Sequence, residues 1–298
     1  MILWLVILLS VAVAVTSLVF CAVMYKKFFT TQGQDEENIR RIESEALNHA
    51  WQTHRDKVAI NKNPNNETRS VVLVETRPHR LLKRCIDNIC TQLPDWKVHV
   101  VHGLDNEEFV KRIIADREEE IQTTLLKGVH NLRVTEFSRL IGSETFWKDI
   151  ADTDRVLMTQ TDAWICNDSK HDIEDFFVYD YVGAPWVKWR KGQQLSENDA
   201  SAVGNCGFCL CKRDVMLQTV IKYPYIDFVH KNNSHAVDVY FAQNIANTAP
   251  ALIAKAFSVE SVWYDRPVGV HKPFNMNKNK LAKLELHCQG VLNLLDYR

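Results

Sequence analysis

Residues 155–166 read RVLMTQTDAWIC. Val156, Leu157 and Met158 form a short apolar run, as expected of a strand buried on both faces of a parallel sheet. The run breaks into Thr159-Gln160-Thr161-Asp162, and apolar residues resume at Ala163, Trp164 and Ile165. In open α/β sheets ligands bind beyond the carboxyl ends of the strands. Gln160 to Asp162 therefore stand where a ligand-bearing edge is expected.

The segments before this stretch alternate. VVLVE (71–75) and KVHVVH (97–102) read as strands, and HRLLKRCIDNICTQL places Leu82, Cys85, Ile86, Ile89 and Leu93 on one helical face. NEEFVKRIIADREEEIQTTLLKG predicts one helix closing at Gly128, NLRVTEF (131–137) a third strand, and RLIGSETFWKDIA another helix. Repeated β-α units imply a mostly parallel sheet with helices on both faces. The second half is less regular. FFVYDYVGAPW (176–186) reads as a strand and turn, followed by a polar loop; CGFCLCKRDVMLQTVIKY reads as a strand entering a helix; HAVDVYFAQNIAN is helical; and FSVESVWYDRPVGVHKPFN is a strand and turn.

Residues 1–25 contain no charged side chain. That exceeds the ~20 apolar residues a membrane-spanning helix needs and the ~7–15 of a cleaved signal peptide, so an uncleaved anchor is expected. Residues 26–69 read as a charged helical stem and polar linker, 70–275 as the functional domain and 276–298 as a C-terminal extension. Lys26 and Lys27 favour a cytosolic domain by the positive-inside rule. The sequons at Asn66, Asn167 and Asn232 favour a lumenal one. With Cys21 in the span, seven cysteines remain; the odd number argues against a fully paired framework and for small buried thiols. The formal net charge of −1 offers no electrostatic case for a nucleic-acid partner.

Four groups of residues have the chemistry of a site. Asp162, at a strand end, fits a ligand for a divalent cation bridging diphosphate oxygens, or alternatively a cap on the next turn. Asp238, opening an aromatic helix, fits a general base or a favourable first-turn carboxylate. His271 fits a metal ligand or a structural imidazole, with Lys272 beside it to neutralise phosphate. Gly204 and Gly207 allow close backbone approach to a ligand, or simply a turn.

Taken together and in order, QTD, YDYVGAPW, GNCGFCLCKR, VDVYF and PVGVHKP over roughly residues 70–275 resemble the GT-A class of nucleotide-sugar-dependent glycosyltransferases. They are most similar to an uncharacterised glycosyltransferase-like family of unknown function. The resemblance implies a GT-A-like α/β fold and an Mn²⁺ or Mg²⁺ ion held by Asp162 and His271. It implies Asp238 at the acceptor hydroxyl, and Thr76, Arg77, Gln160, Asp162, Gly204, Asn205 and Lys272 around the donor. Tyr181, Gly183, Pro185 and Trp186 would wall the sugar or acceptor pocket. The sequence departs from the pattern where Gln160 replaces the first acid of DxD, Val237 replaces an acid, and Cys206, Cys209 and Cys211 enter the glycine-rich segment. The expected activity is membrane-anchored transfer of a sugar from a nucleotide-sugar to a glycan, protein or lipid acceptor in the Golgi or ER lumen. The alternative is an inactive relative that binds a glycan or protein partner.

Overall fold

The computed structural model describes residues 41, 44–45, 47–59, 67–186, 189–190, 193–194 and 203–297. The expected anchor, residues 1–25, and most of the stem lie outside the described residues. Among the described residues no helix is long and apolar enough to cross a membrane. The chain divides into two compact units, residues 1–52 and 53–298, and the second carries the fold and all features below.

Eleven strands occur among the described residues: β1 (Arg69–Val74), β2 (Lys97–His102), β3 (Ile121–Leu125), β4 (Arg155–Thr159), β5 (Ala163–Ile165), β6 (Tyr181–Gly183), β7 (Trp189–Arg190), β8 (Gln193–Gln194), β9 (Phe208–Lys212), β10 (Ser258–Val259) and β11 (Gly269–His271). The main sheet has the order β3-β2-β1-β4-β9-β6. Its first four strands are parallel, while β9 runs antiparallel to β4 and β6 antiparallel to β9. The fold is thus α/β, with a mostly parallel, Rossmann-like sheet flanked by helices. A small sheet, β10-β11-β5, stands beside it.

The apolar runs of β1 and β4 are buried throughout, as covered central strands require. Helix Leu82–Gln92 buries Leu82, Cys85, Ile86 and Ile89, the face its periodicity predicts. Around Gly128 the structure corrects the expectation. The helix there is only Glu107–Ile114, residues 121–125 form the third strand, and the expected strand at 131–137 falls largely within helix Val134–Ile141. β3 lies at the sheet edge with Gln122 and Thr123 exposed, so it lacks the apolar alternation that marks a buried strand. Residues 176–178, expected as the start of a strand, instead close a 3₁₀ helix, Ile173–Val178, that precedes β6.

The cysteine expectation is corrected in part. Cys166, at the end of β5, forms a disulfide with Cys288 in the C-terminal extension, across a sequence separation of 122. Cys85, Cys206, Cys209 and Cys211 are buried thiols and Cys90 is half-buried. Burial pushes the Cys85 thiol up to about 12, so it does not supply a thiolate at neutral pH.

Candidate functional site

Three carboxylates follow parallel strand ends closely: Glu75 after β1, Asp162 after β4 and Glu260 after β10. All three line one cavity of about 490 Å³ at the carboxyl edge of the sheet. Its volume is in the range of small-molecule sites.

The polar residues after β4 form a tight turn. Ala163 N donates to Gln160 O at 3.1 Å, and Gln160 N donates to Gly207 O at 3.0 Å. The chain then reverses into β5, where Ala163 pairs with His271 of antiparallel β11. Lys272 N donates to Asp162 O at 2.9 Å, which fastens the two segments together. Asp162 and His271, 109 positions apart, are thereby set side by side.

Asp162 Oδ1 is 3.2 Å from His271 Nε2, and both side chains are almost wholly buried. His271 Nδ1 is 3.4 Å from Glu260 Oε1. Neither contact has hydrogen-bond geometry: Asp162 Oδ1 and both His271 nitrogens are buried without a hydrogen-bond partner. Burial pushes the Asp162 carboxyl up, but His271 and Lys272 outweigh it and hold the group below the usual carboxylate range. Burial pulls the His271 imidazole down, yet Asp162 and Glu260 raise it above its ordinary value. Glu260 is held low because His271, Lys272 and Asn205 together outweigh its burial.

The glycine-rich turn builds the seat for this pair. A Cβ on Gly207 would stand 2.1 Å from His271 Nε2, so only a glycine lets the imidazole lie against the turn. A Cβ on Gly204 would stand 2.1 Å from the Trp186 indole. Asn205 between them adopts a left-handed φ of 82°. It accepts from Gly207 N at 2.9 Å and donates to Glu260 Oε2 at 2.6 Å. Lys272 also has a positive φ, 49°. A non-glycine residue in that region is strained, and here it is the residue carrying the ammonium group that lines the cavity.

The cavity collects most of the residues singled out from the sequence: Thr76, Arg77, Gln160, Asp162, Trp186, Asn205, Asp238, His271 and Lys272. Tyr181, Gly183, Pro185 and Gly204 are not among its lining residues. Tyr181 is fully buried with its hydroxyl 3.7 Å from Cys206 Sγ, and Gly183 makes room for the Gly204 carbonyl. Pro185 bridges to Val203, and Gly204 supports Trp186 from behind. Arg77 forms a two-pronged contact with Glu75, and Thr76 Oγ1 accepts from Leu132 N at 2.8 Å. Both residues therefore also organise the wall itself.

Glu75 and Glu260 were not singled out. The rule that marked Asp162, an acid just past a strand end, also marks them. Glu260 escaped because β10 has only two residues. The apolar wall from Leu132, Val134 and Phe137 escaped because that segment was read as a strand.

A divalent cation fits the Asp162–His271 pair. Two ligands each ~2.1 Å from one ion and at right angles stand ~3.0 Å apart, close to the observed 3.2 Å. An ion there would also satisfy two of the orphaned buried atoms. Among the described residues no three His, Cys, Asp or Glu side chains are placed to hold one metal. Glu260 approaches the opposite ring nitrogen of His271, so it could not join Asp162 on an ion at Nε2.

No curated protein matches this chain. Among solved structures, it is similar to 4-diphosphocytidyl-2C-methyl-D-erythritol synthase from Anaerococcus prevotii DSM 20548, at 11% identity and a TM-score of 0.34. The match covers 57% of this chain and 84% of that one, and so low a score bears on neither fold nor function. The family described as Protein of unknown function (DUF5672) matches residues 120–271, a span that holds Gln160, Asp162, Asp238, Glu260 and His271, and the chain belongs to that family.

Proposed function

We propose that this protein is a divalent-cation-dependent glycosyltransferase using a nucleotide-sugar donor. The observation that carries the reading is the buried, unpartnered Asp162–His271 pair in a cavity that also holds Asp238, Lys272 and Arg77. Asp162 and His271 would hold Mn²⁺ or Mg²⁺, which when bound supplies positive charge against a departing diphosphate. Two protein ligands suffice for such an ion where substrate phosphates and water complete the shell. Lys272 adds a second positive charge on the same wall. Asp238, at the start of helix Val237–Asn244, lines the cavity and would accept a proton from an attacking hydroxyl or orient it.

The alternative, a non-catalytic binding protein, draws on Gln160, which puts a neutral amide where a second acid would strengthen cation binding. Isothermal titration with Mn²⁺ and a panel of nucleoside diphosphates, followed by a donor screen with the nucleotide sugars, separates the two. The transferase reading requires Mn²⁺-dependent nucleotide binding that Asp162→Ala removes while the circular dichroism spectrum is unchanged. Full transfer activity in that variant would sink the metal role. Metal-independent ligand binding with no transfer would favour the binding protein.

The expected membrane anchor and lumenal placement remain part of this proposal. The Cys166–Cys288 disulfide supports an oxidising compartment. A mobility shift on glycosidase treatment of the expressed protein checks it.

A further inference from the structure

A second cavity, of about 460 Å³, opens beside the first, and Trp186 and Glu260 line both. Its other lining residues are half-buried Trp263, the apolar Val259 and Met276, and the polar Ser261, Asn275, Asn277 and Lys280. Two indoles thus contribute apolar surface within a setting of amides, a hydroxyl and one ammonium group. A pyranose ring has the matching chemistry: apolar C–H faces that stack on an aromatic ring, and an equator of hydroxyls that both donate and accept hydrogen bonds.

The polar lining groups suit that role. Asn277 uses Oδ1 to accept from Lys280 N at 2.9 Å, so what it offers a ligand is the Nδ2 donor. Ser261 donates weakly to Pro185 O at 3.4 Å and keeps its lone pairs for an incoming hydroxyl. Lys280 Nζ is 5.9 Å from the centre of the Trp263 ring. With Glu260 on the same wall, the charges are balanced, which disfavours a polyanionic occupant. The amides, hydroxyl and charged groups among the lining disfavour an acyl chain.

We infer that this second cavity is the acceptor site and that its occupant is a glycan, with a sugar ring stacked on Trp263. The inference rests on the transferase reading for the direction of transfer. The sugar would enter past Trp186, whose indole is held against Gly204, and present its hydroxyl to the cavity that holds Asp238.

The test uses the full-length protein in a detergent that carries no sugar. A glycan array identifies retained oligosaccharides, and titration calorimetry with the best of them compares the native chain with Trp263→Ala and Trp263→Phe. The same three proteins are titrated with a nucleoside diphosphate and Mn²⁺. The expected result is a loss of about tenfold or more in glycan affinity for Trp263→Ala, largely recovered by Trp263→Phe, with nucleotide affinity unchanged. Recovery by phenylalanine also excludes misfolding as the cause. Glycan binding indifferent to Trp263→Ala, a parallel fall in nucleotide affinity, or no glycan retained by the native chain would each overturn the inference. Trp263-dependent glycan binding by a chain that binds no nucleotide would uphold the sugar site and sink the transferase reading alone.

Discussion

His271 is closely flanked by three residues. Asp162 faces one ring nitrogen, Glu260 the other, and Gly207 lies under the ring. Gly207→Ala should displace the imidazole, because the new Cβ would fall 2.1 Å from Nε2. The expected outcome is weaker Mn²⁺ binding by calorimetry in a protein whose circular dichroism is native. Unchanged affinity would mean that the ring moves without loss, and that it is not a ligand. On the metal reading proposed above, Glu260 would act through His271, whose Nδ1 it faces at 3.4 Å. A carboxylate on the second nitrogen of a ligating histidine orients the ring, and its loss commonly weakens metal binding ~10–100-fold. Glu260→Gln should therefore weaken Mn²⁺ binding about tenfold while sparing a nucleotide's affinity measured without metal. The acid-after-a-strand rule made Asp162 legible, whereas Glu260 depended on recognising a two-residue strand that no periodicity reveals.

Among the elements, the turn between β4 and β5 has the most consequence. It converts a parallel strand end into the first strand of a second, small sheet, and that sheet returns His271 to Asp162. β5 is also tied at its far end by the Cys166–Cys288 disulfide, while Asn88 Nδ2 donates to Ile165 O at 3.0 Å and Asn88 Oδ1 accepts from Ile165 N at 2.9 Å. The disulfide closes a long loop, and removing such a crosslink typically costs about 2–5 kcal/mol. The paired change Cys166→Ser and Cys288→Ser should lower the urea midpoint accordingly, and reductant should do the same to the native chain. A midpoint that neither treatment moves would show that the crosslink constrains nothing the packing does not already hold. Strands β1, β2 and β4 were legible because buried parallel strands are continuous apolar runs. β3 was missed because an edge strand can be polar and still complete the ladder.

For the whole molecule, three histidines whose imidazoles are shifted down, His54, His99 and His171, contribute a pH dependence of stability. His54 lies against Tyr179 and Phe176, with Nδ1 3.3 Å from the Tyr179 hydroxyl. Burial first, and then the positive charges of His171, Lys57 and Arg55, lower its imidazole to about 4 from 6.5. His99 and His171 are shifted down as well, also by burial. In each case the unfolded chain binds the proton more readily than the folded one. The His54 contribution is complete above pH 6.5 and is lost as pH falls toward 4, and His99 and His171 add to it with the same sign. Urea midpoints should drop between pH 7 and pH 5, and His54→Phe, which keeps a ring against Tyr179, should flatten the drop. An identical slope in that variant would remove His54 from the account.

Local patterns gave the α/β class and put Asp162 just past a strand end, and the order of short motifs singled out Asp162, Asp238 and His271, which line one cavity. Each of those rests on short-range features: apolar runs, a polar break, an acid at a boundary and the order of brief motifs. The pairings across the chain came from packing. Which acid faces His271, which glycine seats it, which cysteines join and which second indole shares a cavity with Trp186 depend on contacts between positions far apart in sequence. Such contacts arise when the sheet and the burial of its faces bring distant strand ends to a single edge, and no local pattern encodes that distance.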